Sequence, residues 1–288
     1  MSGTKIQRNS LLQPYLKWAG GKRQLLPEIR KYRPQNFNTY YEPFVGAGAV
    51  LFDLQPKNSI INDVNSELVN TYKVLKSKQG LEELLQLLQH HKENNSKEYF
   101  YQVRDEDRDE SYKNKSEIEK AARLIYLNKT CFNGLFRVNS QGQFNVPFGN
   151  YKNPQIVNEI VLRAVHNYLN SAEVEILNQD FQEVLSTAEK GDFIYLDPPY
   201  DPVSSTSSFT GYSLDGFNRE DQIRLRDTFV ELDKRGCKVL LSNSATGFIK
   251  EIYGSYKIEI VSAKRNINSV ASKRGKIDEV LVMNYGQE

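Results

Sequence analysis

The sequence predicts an α/β fold in which a helical insertion interrupts an alternation of strands and helices. Short apolar runs rich in β-branched and aromatic residues recur along the chain and alternate with segments of helical length. A glycine-rich turn follows the first of these strands, as in nucleotide-binding α/β units. Helical patterning then fills residues 67–128 before the alternation resumes, which indicates an inserted subdomain.

Seven segments have the length and composition of strands, and the last two are predicted to form a closing antiparallel hairpin. They lie at residues 39–44, 59–63, 173–177, 192–196, 237–242, 257–262 and 277–285. Helices are predicted at residues 23–32, 49–54, 154–169, 219–235 and 247–253, and the helical block is predicted to break near Gly80, Asn94 and Lys113. We expect residues 105–119 to form an exposed helix end or loop, and residues 201–218 to form a mobile loop over the site.

Composition places the chain among soluble globular proteins. Of its 288 residues, 39% are hydrophobic and 26% are charged, which is ordinary for that class. No run approaches the roughly 18 to 20 apolar residues of a membrane span, and the polar N-terminus lacks a signal peptide, so we expect a cytoplasmic protein. Two cysteines and three histidines favour neither a disulfide framework nor a zinc site, so we expect chemistry without a metal.

Positive charge is concentrated locally although the net charge is only +2. Residues 128–152 carry three basic side chains and residues 261–277 carry five, with no acidic residue in either stretch. A DNA-binding enzyme shows such stripes, and so does an ordinary solvated surface.

Residues 197–200 read Asp-Pro-Pro-Tyr and directly follow the apolar strand at 192–196. Two prolines fix φ and lack N–H donors, so the chain leaves the sheet in a stiff extended turn. At the carboxyl edge of an α/β sheet, this turn would place the Asp197 carboxylate, free carbonyls and the Tyr200 ring beside the ligand crevice. Such a site suits a planar substrate that bears an amine, although a plain proline turn has the same short motif.

The turn at residues 44–48 reads Phe-Val-Gly-Ala-Gly and is shorter than a full G-x-G-x-x-G fingerprint. Asp63 ends the next predicted strand, some 17 residues after Gly46. An acidic residue at this point of a βαβ unit can hold the two hydroxyls of a ribose. A ribose-binding acid without the phosphate fingerprint favours a nucleoside ligand over a dinucleotide.

The chain's only tryptophan, Trp18, lies in the segment KWAGGK at residues 17–22. One interpretation is a core tryptophan beside a tight turn. The other is a loop whose glycines let the backbone wrap a small ligand, with Lys22 available to bind a carboxylate.

Residues 131–149 combine asparagine, glutamine, arginine, aromatic residues and glycine without an acidic residue. Asn and Gln can bond adenine bidentately, Arg can bond guanine, and aromatic side chains can stack on unpaired bases. The segment therefore indicates a base-reading hairpin, and a hairpin without a binding role is the alternative.

These motifs occur together in a fixed order: KWAGGK at 17–22, EPFVGAG at 42–48, NGLFRVN and FNVPFG between 133 and 149, and DPPY at 197–200. In this combination the chain resembles the α-group DNA adenine-N6 methyltransferases, the family of Dam and the DpnM-type modification enzymes, over nearly its whole length. The resemblance implies a Rossmann-like methyltransferase fold with a seven-stranded sheet and a C-terminal β-hairpin. Residues 1–64 and 171–288 would form the catalytic cofactor-binding domain, and residues 65–170 a largely helical target-recognition insertion.

The resemblance also implies site residues, position by position. Asp197, Pro198 and Tyr200 would be catalytic. The positions that match contacts to S-adenosylmethionine are Trp18, Lys22, Phe44, Gly46, Gly48, Asp63, Asp180, Phe181 and Asp197. Those that match DNA contacts are Lys17, Phe132, Asn133, Leu135, Arg137 and Pro147, with Arg137 as the guanine reader in members that recognise GATC.

The implied reaction transfers a methyl group from S-adenosylmethionine, without a metal, to N6 of a flipped-out adenine in duplex DNA at GATC. Double-stranded DNA is the implied partner, with a cognate restriction endonuclease where the enzyme serves a restriction system, and with no stable protein partner and no membrane. Methylation of another site or base, such as cytosine N4 or RNA adenine, stays open, because these enzymes share the DPPY motif. A non-catalytic DNA-binding relative is a further alternative, and the incomplete glycine signature disfavours a dehydrogenase.

Overall fold

A seven-stranded sheet forms the centre of the computed structural model, which describes residues 9–203, 216–264 and 276–286. The strands are β1 (Tyr40–Glu42), β2 (Asn58–Asn62), β3 (Glu173–Leu177), β4 (Phe193–Leu196), β5 (Lys238–Ser244), β6 (Lys257–Lys264) and β7 (Lys276–Met283). The predicted α/β class and the seven strands are confirmed.

The strand order across the sheet is β3-β2-β1-β4-β5-β7-β6. Strands β1 to β5 are parallel to one another, whereas β7 runs antiparallel to both β5 and β6, which confirms the closing hairpin. The order of connection reverses between β1 and β4. In open sheets of this kind, ligands bind outside the carboxyl ends of the strands at this switch point.

Helices cover the sheet and fill the segment between β2 and β3. They are α1 (Leu26–Tyr32), α2 (Ala49–Leu54), α3 (Ser66–Lys76), α4 (Lys78–Glu93), α5 (Lys97–Asp105), α6 (Glu117–Thr130), α7 (Glu159–Ser171), α8 (Phe181–Leu185), α9 (Arg219–Lys234) and α10 (Gly247–Ile252). No helix in the described part of the chain has both the length and the apolar character needed to cross a membrane.

The helices between β2 and β3 share one hydrophobic core with a face of the sheet. Tyr40 and Phe193 from the strands belong to the same buried cluster as Tyr72, Leu84 and Phe100 from α3, α4 and α5. Because burial of apolar side chains is the main favourable term in folding, this shared core fixes the helical segment against the sheet.

Two predicted helix boundaries are wrong. The break near Gly80 lies instead at Ser77, whose hydroxyl accepts a hydrogen bond from Gly80 N and caps α4. Glycine suits this position because a Cβ there would lie 2.6 Å from Val74 O. The helix predicted from residue 154 begins only at Glu159, where the Asn158 side chain caps Val161 N.

Other expectations are only partly met or lie outside the described residues. Residues 105–119 include helix ends, as expected, but the Asp107 side chain is buried. The predicted hairpin at 131–149 is joined by isolated antiparallel bridges, Cys131 to Phe148 and Val138 to Phe144, rather than by continuous strands. Residues 204–215 of the predicted mobile loop and residues 265–275 of the basic segment are outside the described part of the chain.

Candidate active site

Asp197 directly follows β4, at the carboxyl edge of the sheet and beside the switch point. All four residues of β4 are fully buried, because the strand is central in the sheet and is covered on both faces. The strand ends at Leu196, and Pro198 prevents its continuation, since proline has no N–H to donate to a sheet ladder. The position of the carboxylate is therefore set by the sheet.

The Asp197 carboxylate is held through one of its two oxygens. Lys22 Nζ lies 2.8 Å from Oδ1, and Ser242 Oγ donates to the same atom at 2.9 Å. The Tyr195 hydroxyl lies 2.9 Å from Ser242 Oγ and extends the network into the core. Within the described ranges, Oδ2 has no hydrogen-bond partner, so it is the oxygen that can accept a bond from a bound molecule.

The two partners of Asp197 also favour its ionised form. Burial is the largest influence on this group and raises the pKa of Asp197, whereas Lys22 and Ser242 lower it. A carboxylate that stays ionised accepts hydrogen bonds and donates none. Such a group is suited to bind the hydrogens of an amine.

Tyr200 is fixed at its hydroxyl and contacted on its ring face. The hydroxyl donates to Glu279 Oε2 of β7 at 3.0 Å, and Lys22 Nζ lies 4.4 Å from the centre of the ring. Burial, followed by the charge of Asp197, raises the pKa of Tyr200 well above its usual value, so the hydroxyl stays neutral. The ring is therefore an oriented, uncharged aromatic surface beside Asp197.

The proline turn is supported by two side-chain amides from neighbouring elements. Gln222 Nε2 of α9 donates to Pro199 O at 2.8 Å, and Asp201 N donates to Asn243 Oδ1 of β5 at 3.0 Å. The two amides are joined to each other, because Asn243 Nδ2 donates to Gln222 Oε1 at 3.1 Å. These bonds satisfy backbone groups that no sheet ladder reaches.

Asp63 directly follows β2 and accepts hydrogen bonds from two backbone N–H groups, one of which belongs to the glycine turn. Gly46 N donates to its Oδ2 at 3.0 Å, and Asn65 N donates to its Oδ1 at 2.9 Å. Burial raises the pKa of Asp63 to about 6, although both N–H groups oppose the rise. Each carboxylate oxygen keeps a second lone pair, so Asp63 can still accept hydroxyl hydrogens.

Trp18 packs directly on the glycine turn. Gly46 has a φ of 51°, and a Cβ at this position would lie 3.0 Å from Trp18 Cδ1. Gly48 has a φ of 73°, and a Cβ there would lie 2.8 Å from the hydroxyl oxygen of Tyr72. Both positions need glycine, because the left-handed conformation and the close neighbours together exclude a side chain.

Aromatic rings cluster beside this turn. Phe44 lies 5.5 Å from Phe181 and 5.9 Å from Phe217 between ring centres. The Arg224 guanidinium lies 4.5 Å over the Phe181 ring and donates to Asp180 Oδ2 at 3.0 Å. Asp180 also caps α8 through Gln182 N, so its carboxylate is fixed on both sides.

The segment 131–149, which we call the recognition segment, presents several exposed side chains. Phe132 is 51% exposed although it is a large apolar residue, and Asn133 is exposed with a φ of 57°. Pro147 is exposed as well, and its carbonyl accepts a hydrogen bond from Phe132 N at 2.8 Å. Leu135 is half-buried. The side chains of Phe132, Asn133 and Pro147 are therefore accessible to a bound molecule.

Arg137 is exposed but oriented. Its Nε donates to Asn145 Oδ1 at 2.6 Å, and a terminal nitrogen donates to Asn145 O at 3.2 Å. The guanidinium is therefore held across the recognition segment by a single partner residue.

The KWAGGK segment joins the recognition segment to the sheet edge. Asn128 accepts a bond from Lys17 N at 2.9 Å, and its amide donates to Lys17 O at 2.7 Å and to Gly134 O at 3.0 Å. Trp18 stacks on Phe136 of the recognition segment, with ring centres 5.3 Å apart. Trp18 therefore contacts the recognition segment and the glycine turn at once.

The structure thus brings the predicted residues together in two groups. Those predicted for catalysis and the cofactor lie along the carboxyl edge of the sheet, and those predicted for DNA lie on the recognition segment and at Lys17. Sequence reasoning missed several residues that support the site: Gln222, Ser242, Asn243, Glu279, Phe217 and Arg224. They stand in ordinary helix and strand patterns or, for Phe217, inside the predicted loop, so no local motif marks them.

Residues 18–267 match the family described as D12 class N6 adenine-specific DNA methyltransferase. The chain belongs to this family.

Relatives of this D12-class methyltransferase include enzymes from bacteria and archaea. The type II methyltransferase M1.LlaDCHI of Lactococcus lactis subsp. cremoris is 47% identical over 98% of the chain and 99% of its own length. The type II methyltransferase M.MjaIII of Methanocaldococcus jannaschii is 44% identical over 95% of the chain and 99% of its own length. The DNA adenine methylase of Escherichia coli (strain K12) is 34% identical over 93% of the chain and 94% of its own length. The predicted family and enzyme class are confirmed.

The contact between Lys22 and Asp197 predicts a shift in the pH profile of this methyltransferase. Replacing Lys22 with Met removes a cation that lowers the pKa of Asp197, so that pKa rises and the carboxylate protonates at a higher pH. Because only the ionised carboxylate accepts both a bond from Lys22 and one from a substrate amine, we expect the acid limb of kcat/KM to move to higher pH. The measurement is the initial rate of DNA methylation across pH.

The matched control is Arg23→Met, which removes the neighbouring exposed cation. It should leave the acid limb where it lies in the unmodified protein. A lower rate for Lys22→Met with an unmoved acid limb would contradict the assigned influence of Lys22 on Asp197.

Proposed function

We propose that this D12-class methyltransferase transfers a methyl group from S-adenosylmethionine to N6 of a flipped-out adenine within GATC in duplex DNA. The observation that carries the proposal is the geometry at Asp197. Its carboxylate is held through Oδ1, keeps Oδ2 free of partners in the described residues, and lies beside the oriented ring of Tyr200.

The residues present fit the methyl donor. Gly46 and Gly48 let the backbone of the turn lie close to Trp18 and Tyr72, and Asp63 lies against that turn with lone pairs available for ribose hydroxyls. Phe44 offers apolar ring surface for an adenine, with the buried ring of Phe181 packed against it and Asp180 next to them. When bound, S-adenosylmethionine supplies a methyl group that its sulfonium already activates.

Trp18 and Lys22 complete the proposed cofactor pocket. Trp18 packs on the glycine turn, and Lys22 Nζ donates to Gly20 O at 2.6 Å and contacts Asp197. The Lys22 ammonium can bind a carboxylate, as expected for the methionine end of the donor, and in the structure it contacts the Asp197 carboxylate.

Asp197 and Pro198 would localise the lone pair of the target amine. The exocyclic nitrogen of adenine is a poor nucleophile, because its lone pair is delocalised into the ring. We assign Asp197 Oδ2 and the Pro198 carbonyl to accept the two amine hydrogens, which draws the nitrogen towards sp³ geometry. Direct in-line transfer then requires positioning and electrostatics more than a strong general base.

Base flipping would bring the adenine to this carboxylate. A paired base cannot reach a buried site, and extruding it costs a few kcal/mol. Stacking on the Tyr200 ring offsets that cost, since base–aromatic stacking contributes about 1 to 3 kcal/mol. The exposed Phe132 ring is suited to fill the space that the base leaves in the duplex.

The residue set on the recognition segment supports GATC as the target. Phe132, Asn133, Leu135, Arg137 and Pro147 match positions that contact DNA in GATC-recognising members, and four of these side chains are exposed. Lys17 adds a cation next to the same segment. We therefore assign target recognition to the insertion at residues 65–170. The relatives named type II methyltransferases support a role in restriction and modification.

The proposed reaction is tested by treating unmethylated DNA with the purified protein and S-adenosylmethionine. Nucleoside mass spectrometry should detect N6-methyladenine, and sequencing of the same DNA should place it at GATC. N4-methylcytosine, or methylated adenine confined to RNA, would overturn the assigned base or substrate. Methylated adenine at another sequence would overturn the assigned site alone.

Replacing Arg137 with Ala should relax recognition at one guanine. Loss of a bidentate contact to guanine costs about 1 to 3 kcal/mol of discrimination, because the wrong base is no longer disfavoured. The measurement compares kcat/KM for a GATC duplex with that for a duplex substituted at the guanine. Arg226→Ala, which removes a half-buried arginine on α9, is the control and should keep the preference. An unchanged preference in Arg137→Ala would reject the assigned role.

A further inference from the structure

The turn after α5 binds the backbone of the recognition segment on both sides of one residue. Phe144 N donates to Asp107 Oδ2 at 2.7 Å, and a terminal nitrogen of Arg108 donates to Phe144 O at 3.1 Å. Both side chains come from the short 3-10 turn Glu106–Arg108. We call Asp107 and Arg108 the clasp. Because the N–H and the C=O of Phe144 are both hydrogen-bonded, the position and the rotation of this residue are fixed.

The clasp is itself anchored in the protein interior. Arg123 of α6 lies 2.8 Å from Asp107 Oδ2, with side-chain exposures of 1% for Arg123 and 7% for Asp107. Arg108 donates to the other oxygen, Asp107 Oδ1, at 2.8 Å. Arg123 also donates to Val103 O at 2.9 Å, so it joins α6 to α5. A buried, fully hydrogen-bonded network of this kind rigidifies the elements that it joins.

The residue after Phe144 holds the proposed guanine reader. Asn145 N donates to Arg137 O at 3.0 Å, and the Arg137 guanidinium donates to Asn145 Oδ1 and to Asn145 O. The position of the Phe144 peptide therefore sets the position of both acceptors that orient Arg137. The clasp binds Phe144 and the guanidinium binds Asn145, so the two sets of hydrogen bonds lie on adjacent residues.

The ring of Phe144 also holds the recognition segment in place, by packing rather than by hydrogen bonds. It is buried and lies 5.9 Å from Phe136, which stacks on Trp18. Packing alone leaves the polar groups of the Phe144 backbone to be satisfied, and the clasp satisfies them.

We propose that Asp107 and Arg108 are positioning residues for sequence recognition, which act through Phe144 and Asn145 to aim Arg137 at its base. The inference rests on the proposed function, because it requires Arg137 to read DNA. Neither clasp residue needs to touch a base. Their effect is on the orientation of a bidentate donor, and bidentate recognition depends on that orientation.

Arg108→Ala is the informative variant. Asp107→Ala would leave Arg123 buried without its carboxylate and is expected to disturb folding. Arg108 is 32% exposed, so its removal should leave cooperative unfolding and S-adenosylmethionine binding unchanged. We expect the preference for the cognate duplex over one substituted at the guanine to fall by roughly threefold to tenfold. Lys115→Ala is the matched control, since Lys115 is 33% exposed and pairs with Glu106 of the same turn.

A double-mutant cycle separates positioning from a general structural effect. In the Arg137→Ala background, Arg108→Ala should cause no further loss of preference, because the side chain that it orients is absent. Arg108→Lys keeps the charge but lacks the fork that reaches both Asp107 and Phe144, so it should resemble Arg108→Ala. An equal loss in both backgrounds, a wild-type preference in Arg108→Ala, or full recovery in Arg108→Lys would overturn the inference.

The unmodified protein separates failure of this inference from failure of the proposed function. Its preferred sequence is determined first, and the variants are then assayed on that sequence and its single-guanine substitutions. An unmodified protein that prefers another site overturns the GATC assignment while the cycle still tests the clasp. Variants that behave as the unmodified protein on its own preferred site overturn the clasp alone.

Discussion

The proposed active site depends on keeping one half-buried carboxylate ionised. Burial raises the pKa of Asp197, and a charge removed from water is costly unless it is paired. The Lys22 ammonium and the Ser242 hydroxyl stabilise the charge through one carboxylate oxygen and leave the other oxygen for a ligand. These groups come from the segment before α1 and from β5, so the electrostatics of the site require the sheet to be assembled in its observed order.

One aromatic ring contacts both of the surfaces that the reaction would use. Trp18 lies against the glycine turn on one side and stacks on Phe136 of the recognition segment on the other. The interpretation of Trp18 as a packed tryptophan beside a tight turn is therefore correct in part, and its place at the cofactor pocket stays a prediction. On a larger scale, the shared hydrophobic core joins the sheet to the inserted helices in the same way.

Local sequence signals predicted most of the fold and the position of the candidate site at the edge of the sheet. The apolar run at β4, the prolines after it and the glycines at 46 and 48 have direct structural consequences, so Asp197 and its neighbourhood could be found from the chain alone. The α4 boundary was missed because Ser77 caps the helix and Gly80 lies inside it. Residues that reach the site from elsewhere, such as Glu279 and Ser242, carry no local signal, since their role follows from strand order.

The acidic stretch at residues 105–110 is a further case in which the local sequence does not reveal the structural role of a residue. Its composition is typical of a solvated surface, yet Asp107 is buried against Arg123 and binds the recognition segment. Charge pattern along the chain cannot reveal such a pairing, because the partners are separated in sequence and meet only through helix packing.

The most direct test of the account replaces Asp197 with Asn, which keeps the shape of the side chain but removes its charge. Single-turnover methylation of duplex DNA should slow by at least about 10²-fold to 10³-fold, because an oriented acceptor for the amine is lost, while DNA and S-adenosylmethionine still bind. Asp227→Asn, a change of an exposed carboxylate on α9, should retain the original rate. A near-normal rate for Asp197→Asn would contradict the central claim.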